Sequence, residues 1–143
     1  NAGWEPHKSI EDSKEILHTV FMGNEGVFAM ILKENNSLVG SIGIIPDPKR
    51  ENPRTRMLGY WLKGCHWGKG IASEATHAVL DYGFNVLGLH LISANCYPHN
   101  TRSRHLLERH GFVYEGILHE AETTYDGHIY DHLCFYLKKE MLR

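Results

Sequence analysis

The chain has 143 residues, 42% hydrophobic and 22% charged, a composition that excludes intrinsic disorder, collagen-like repeats and a coiled coil. At this length about two-thirds of the unfolded surface can be buried, enough for a core that needs neither disulfides nor metal. Fifteen Lys and Arg against seventeen Asp and Glu leave a net charge of −2, which argues against a nucleic-acid binder, and no apolar run approaches the roughly 18 residues of a membrane-spanning helix.

Ser9 and Asp12 resemble a capping box, and Ile10, Ile16, Leu17, Val20 and Phe21 follow at helical spacing. A helix is therefore expected from Ser9 to Met22, ended near Gly23. Val27–Leu32 and Leu38–Ile45 are apolar runs joined by a turn at Glu34–Ser37, and read as a hairpin of buried strands. Pro46, Pro48 and Pro53 mark a loop carrying Lys49, Arg50, Arg54 and Arg56, which read as solvated charges. A third strand is expected over Met57–Leu62. Gly64 to Gly70 is a glycine-rich loop, and a helix follows it with Ile71, Ala75, Ala78, Val79 and Tyr82 as its apolar stripe, ended by Gly88. Leu89–Cys96 reads as a short strand broken by Pro98. A second helix runs from Asn100 to His110, with Gly111 as its C-terminal cap. Val113–Thr124 and Ile129–Lys138 read as strands joined by Asp126-Gly127, a strong hairpin dipeptide. The order α-β-β-β-α-β-α-β-β, with no repeat and no linker, is that of one α/β (α+β) domain over residues 1–143.

Cys65, Cys96 and Cys134 are odd in number and far apart, with no C-x-x-C spacing, which suits reduced thiols in a cytoplasmic protein. No signal peptide is visible at the start, and Asn1 in place of Met suggests that the chain begins inside a longer product.

Strand, then Trp67-Gly68-Lys69-Gly70-Ile71-Ala72, then helix, is the clearest chemical signal. Glycines let successive backbone N–H groups converge on one anion, and the following helix adds its dipole. A Walker loop fails, because Gly64 lies only four positions before Gly68 and Gly70 stands where Ser or Thr is required. A dinucleotide fingerprint is weak, because Ser73 replaces its third glycine and no acidic residue follows at the ribose position. The remaining readings are a coenzyme pyrophosphate loop and a plain connecting turn.

Residues further on favour the first. Gly59-Tyr60-Trp61-Leu62, Trp67-Gly68-Lys69-Gly70-Ile71-Ala72-Ser73-Glu74-Ala75, Tyr82-Gly83-Phe84, Asn100-Thr101-Arg102-Ser103, Gly111-Phe112, Glu115-Gly116, Asp131 and Tyr136 occur in one order. This series resembles the GCN5-related N-acetyltransferases, and most of all the branch that acetylates the N-termini of ribosomal proteins. The resemblance runs from Ser9 to the end. It implies a mixed, twisted central sheet flanked by helices, with the family's first strand and helix missing from this chain. It also implies two parallel strands, Met57–Leu62 and Leu89–Cys96, splayed at one end.

The same resemblance implies an acetyl-CoA-dependent transfer to a primary amine, most naturally a protein N-terminal α-amine. Acetyl-CoA is a co-substrate held by Trp61, Leu62, Lys63, Trp67, Gly68, Lys69, Gly70, Ile71, Ala72, Asn100 and Ser103. Backbone N–H groups around Trp61 to Lys63 are expected to receive the oxyanion. Ser103 is expected to protonate the leaving sulfur, although Ser is also an ordinary first-turn residue; Asn100 suits both the pantetheine arm and an N-cap. The base is expected at Glu122, which follows Ala121. Glu120, placed on the same face by a period of two, is a fallback, and Glu115 is a third possibility. The superfamily often carries a tyrosine acid four residues before Gly-Phe and an Arg or Gln three before the loop glycine; Leu107 and Cys65 stand there, so the acid must come from elsewhere.

His128, Asp131 and His132 suggest metal, but a zinc site needs three or four converging ligands and no further cluster accompanies them, so no metal is expected. Trp4 and Trp67 read as packing residues. Two alternatives stay open: an acetyltransferase for a small amine such as a polyamine, aminoglycoside or amino-acid-like toxin, and a coenzyme-binding module without catalysis.

Overall fold

A computed structural model describes residues 26–142; the helix expected over Ser9–Met22 lies outside the described residues. Within them β1 (Val27–Ile31), β2 (Leu38–Ile45), β3 (Thr55–Leu62), α1 (Ile71–Asp81), β4 (Leu91–Cys96), α2 (Thr101–Arg109), β5 (Val113–Thr123) and β6 (Ile129–Lys138) follow in chain order. The strands form one sheet ordered β1-β2-β3-β4-β6-β5. β3 and β4 are parallel and every other neighbouring pair is antiparallel. This is the mixed α/β sheet with flanking helices that the sequence reading expects. The parallel pair needs a crossover, and α1 supplies it.

Alternation builds the core on one face. Ile42, Ile44, Leu58, Ile92, Ala94, Phe135 and Leu137 are buried there, against Val79, Leu80 and Phe84 from the α1 arm and Leu107 from α2. The stripe differs from the expected one. Ala78 is exposed, while Thr76, Val79 and Leu80 are buried. A five-residue π turn, Tyr82–Val86, extends α1 and shifts its phase, burying Gly83 and Phe84. Gly83 sits so close to Ile44 and Ile92 that a Cβ there would come within 3.0 Å of both.

Two further expectations change. The first hairpin is not buried on both strands: in β1 only Met30 is buried, and among the described residues β1 is the sheet edge. Leu89 and His90 precede β4 rather than join it; their N–H groups go to Gly83 O and Arg54 O as the chain leaves the left-handed Gly88. The end of α2 follows expectation. Gly111 is left-handed, its N–H reaches Glu108 O, and Phe112 N–H reaches Leu107 O, a Schellman closure.

The functional feature of the sheet is where its pairing stops. β3 pairs with β4 only from Thr55–Leu58 against Leu91–Ala94. Beyond that point Gly59–Leu62 stay with β2 and Asn95–Cys96 stay with β6. A V-shaped opening results, the splay expected at one end of these two strands.

Candidate active site

The opening is lined by backbone. In an antiparallel ladder alternate residues turn their N–H and C=O to the same neighbour. Lys63 N–H donates to Val39 O at 2.9 Å, which puts Lys63 and Trp61 in the β2 ladder. Tyr60 and Leu62 therefore point their backbone groups the other way, into the splay. The donors expected around Trp61 to Lys63 reduce to Leu62, joined by Tyr60.

The glycine loop lies beside this opening. The Trp67 indole N–H donates to Leu62 O at 2.8 Å, tying the loop to the end of β3. Gly68 and Gly70 both have left-handed φ, +76° and +77°. Among the described residues a Cβ at Gly64, Gly68 or Gly70 would meet nothing within 4 Å, which leaves the loop's outer side open there to a close ligand. Gly70 caps α1 with no side-chain hydrogen bond. The N–H groups of Ile71, Ala72 and Ser73 thus begin a helix without a side-chain acceptor, an arrangement suited to an anion. Trp67 is not the packing residue expected: it is 47% exposed, and Arg102 stacks on its ring at 4.7 Å. That contact brings a cation from α2 to the mouth of the loop, which the sequence reading did not single out.

Asn100 is the N-cap of α2, its Oδ1 accepting from Ser103 N–H at 3.1 Å. Ser103 is buried, and the Tyr60 hydroxyl donates to its Oγ at 3.3 Å. Burial, opposed by the Ser103 bond, raises the Tyr60 hydroxyl above its ordinary value, so Tyr60 stays protonated at neutral pH. Leu107, at the family's usual acid position, is a core residue.

Glu122 lies on the other face. It stands opposite Tyr130, and its Oε2 accepts from Tyr97 Oη at 2.8 Å and His132 Nε2 at 3.0 Å. Tyr97 extends β4 by one residue, on the face opposite the core. Burial, with the Glu122 bond adding to it, pushes its hydroxyl well up from the ordinary tyrosine value. Ser103 and Glu122 therefore flank the same end of the β3–β4 opening from opposite sides of the sheet.

The fallback bases stand elsewhere. The ladder steps from Leu118↔His132 to Glu122↔Tyr130, so three β5 residues oppose Asp131 alone. The period-of-two argument for Glu120 breaks at this bulge. Glu120 has φ +49°, and its N–H donates to Asp131 Oδ1 at 2.8 Å. Glu115 is paired with Arg50.

The other sequence candidates also find structural partners. Arg50 bridges Asp47 and Glu115, and Arg54, exposed as expected, also donates to Gly88 O at 2.9 Å, so these loop arginines tie elements together. His128 faces Asp126, Asp131 faces His119 and His132 faces Glu122: three separate pairs. Among the described residues no group of three or more His, Cys, Asp or Glu converges as a metal site, and no helix is long and apolar enough to cross a membrane.

Known proteins share this fold. Residues 2–113 match the model of an acetyltransferase (GNAT) domain, and the chain belongs to that family. It is 34% identical over 138 residues to the N-acetyltransferase p20 of Bacillus licheniformis, covering 94% of this chain and 76% of that protein. It is 31% identical to the ribosomal-protein-serine acetyltransferase of Escherichia coli, covering 92% and 72%. A solved point mutant of the Vibrio cholerae spermidine N-acetyltransferase matches with a TM-score of 0.74 and 27% identity, over 95% of this chain and 77% of that one. The protein is accordingly an acyltransferase of the N-acetyltransferase kind. Among relatives whose names give an acceptor, some act on ribosomal proteins and others on spermidine.

Proposed function

We propose that the protein transfers an acetyl group from acetyl-CoA to a protein N-terminal α-amine by direct attack with both substrates bound. The observation that carries this reading is the pairing of an uncapped helix N-terminus with a strand opening that Ser103 and Glu122 flank from opposite faces. Acetyl-CoA supplies the activated thioester; everything else is asked of the chain's own groups. The N–H groups of Ile71, Ala72 and Ser73, with the loop Trp67–Gly70, hold the pyrophosphate, and Asn100 and the Tyr60 and Leu62 backbone meet the arm in the splay. Trp61 and Lys63 contribute through their side chains, since their backbone faces β2.

Glu122 takes the proton that makes the amine nucleophilic. As the C–N bond forms, Leu62 N–H faces the carbonyl oxygen that gains charge. As the C–S bond breaks, Ser103 gives its proton to sulfur and takes one back through the Tyr60 hydroxyl bonded to its Oγ, which is itself reprotonated from solvent, while the nitrogen of the new amide sheds its surplus proton to solvent. The acceptor assignment rests on likeness to the ribosomal-protein-serine acetyltransferase. A small amine is the second reading, favoured by the match to the spermidine enzyme over nearly the whole chain. Three free cysteines suit a reducing compartment, so cytoplasmic residence is part of the proposal.

Thiol release from acetyl-CoA, measured against peptides with free N-termini and against polyamines and aminoglycosides, tests it. Release that depends on a peptide α-amine is expected. Release with polyamines alone would move the acceptor to the second reading, and none with any amine would leave a coenzyme-binding module.

A further inference from the structure

Glu122 is held in an unusual way for a surface-strand carboxylate. Both of its hydrogen bonds, from Tyr97 and from His132, end on the same oxygen, Oε2. The donors come from two different strands. Tyr97 follows β4, His132 lies on β6, and Glu122 projects from β5 on the face they share.

The donors are themselves fixed. The Tyr97 ring packs against Tyr130 at 5.0 Å, His99 at 5.4 Å and His132 at 5.8 Å, and Tyr97 is 9% exposed. The bulge that puts Glu122 opposite Tyr130 is clamped in turn by Asp131, whose carboxylate takes the Glu120 N–H and faces His119. Bulges re-aim side chains beside active sites, and this one delivers Glu122 to the two donors.

We propose that Tyr97 and His132 are positioning residues that tether Glu122 through Oε2 and leave Oε1 as the single directed proton acceptor. The inference rests on the reading of Glu122 as base and adds what makes it effective. A carboxylate free to rotate offers either oxygen in many directions. One tethered at Oε2 by two donors presents Oε1 along one, which shortens the search for the proton-transfer geometry. Because Oε2 accepts, His132 carries its ring proton on Nε2, and Gln at that position can supply a comparable N–H.

The test uses the full chain, acetyl-CoA and whichever amine the release assay accepts. Tyr97→Phe and His132→Leu should each lower kcat about tenfold with KM for acetyl-CoA unchanged, and His132→Gln should recover most of that loss. In a Glu122→Gln background, His132→Leu should cost nothing further, since its effect passes through the carboxylate. A loss that persists in that background, a His132→Gln variant as slow as His132→Leu, or a change confined to KM would overturn the proposal. If the parent releases no thiol, the acetylation reading fails and the tether is read directly. Nitrogen NMR at alkaline pH should then show His132 in its Nε2-protonated tautomer, and Glu122→Ala should change that pattern. An unchanged pattern in Glu122→Ala would sink the tether by itself.

Discussion

Gly70 offers a test in which fold and ligand move in opposite directions. It caps α1 with φ +77°, a conformation that Asn and Asp tolerate better than other side chains. Gly70→Asn and Gly70→Asp are nearly isosteric, so their backbone strain should match and only the charge differs. In the free protein the Asp carboxylate meets the positive end of α1 and should stabilise it by about 0.3–1 kcal/mol relative to Asn. With coenzyme bound the same carboxylate faces a phosphate. At about 5 Å and an effective dielectric between about 20 and 80, one such charge pair costs roughly 1–3 kcal/mol. Acetyl-CoA at a hundred times its Kd stabilises a two-state protein by about 2.7 kcal/mol. A penalty of about 2 kcal/mol would cut that to roughly 0.9 kcal/mol. Thermal melts with and without acetyl-CoA read both numbers. The Asp variant should melt above the Asn variant when free and gain far less from ligand, and the gap should narrow with salt. Equal ligand-induced shifts in the two variants would refute the placing of phosphate at the α1 N-terminus.

Thr76 is fully buried on α1 and its hydroxyl has no hydrogen-bond partner among the described residues, so Thr76→Val should stabilise the protein by about 1 kcal/mol in chemical denaturation. Asp47 is buried; burial alone would raise its carboxyl, but the Ser93 hydroxyl at 2.5 Å, the Lys49 N–H and the Lys49 and Arg50 charges hold it below its ordinary value. Its stabilisation is therefore present above the ordinary carboxylate range and lost as pH falls through and below about 4, and Asp47→Asn should flatten that part of the stability curve while costing about 1.5–3 kcal/mol at neutral pH. Glu122→Gln should lower turnover by roughly 10² to 10⁴ at neutral pH and recover toward the amine's own pKa. Ser103→Ala should show a loss that high pH does not repair, because a scarcer proton does not help a leaving thiolate.

Much of the architecture was legible because local signals agree with it. Asp126-Gly127 marks the β5–β6 turn, Asn100 and Gly111 bracket α2, and the apolar runs mark the inner strands. The candidate site was legible only in part. Asn100 and Ser103 are local, set by a helix cap three residues apart. The Glu122 environment is not, since it depends on a bulge centred on Glu120, a non-glycine residue in the left-handed region that no Gly or Pro announces. Tyr97 carries no sequence signal of its role, because it lies past the end of β4, just before the break at Pro98. Continuing the alternation of Ser93 and Asn95 one step further would have found it. His132 was weighed as a metal ligand because spacing reveals which residues share a face and not which partner stands across from them. Arg102 belongs to a sequence motif, but its stacking on Trp67 depends on how the crossover packs.

The regular ladder explains why two glutamates compete for one role. Paired without interruption from Leu118↔His132, β5 would bring Glu120 opposite Tyr130, and Glu122 two positions beyond. The two extra residues exchange them. Glu120 goes into the bulge with its backbone held by Asp131, and Glu122 takes the place beside Tyr97. The β3–β4 splay works by the same means, since ending the parallel register at Leu58 and Ala94 turns Tyr60 and Leu62 from ladder members into lining. Each departure forgoes sheet hydrogen bonds and so is sustained only where the rest of the fold supplies stability. Here the buried face, from Ile44 to Phe135, runs beneath the splay, while the bulge sits on the exposed strand β5 and is held by Asp131. The groups proposed to meet substrate therefore sit on irregular backbone, while the side chains that hold the sheet together keep their alternation.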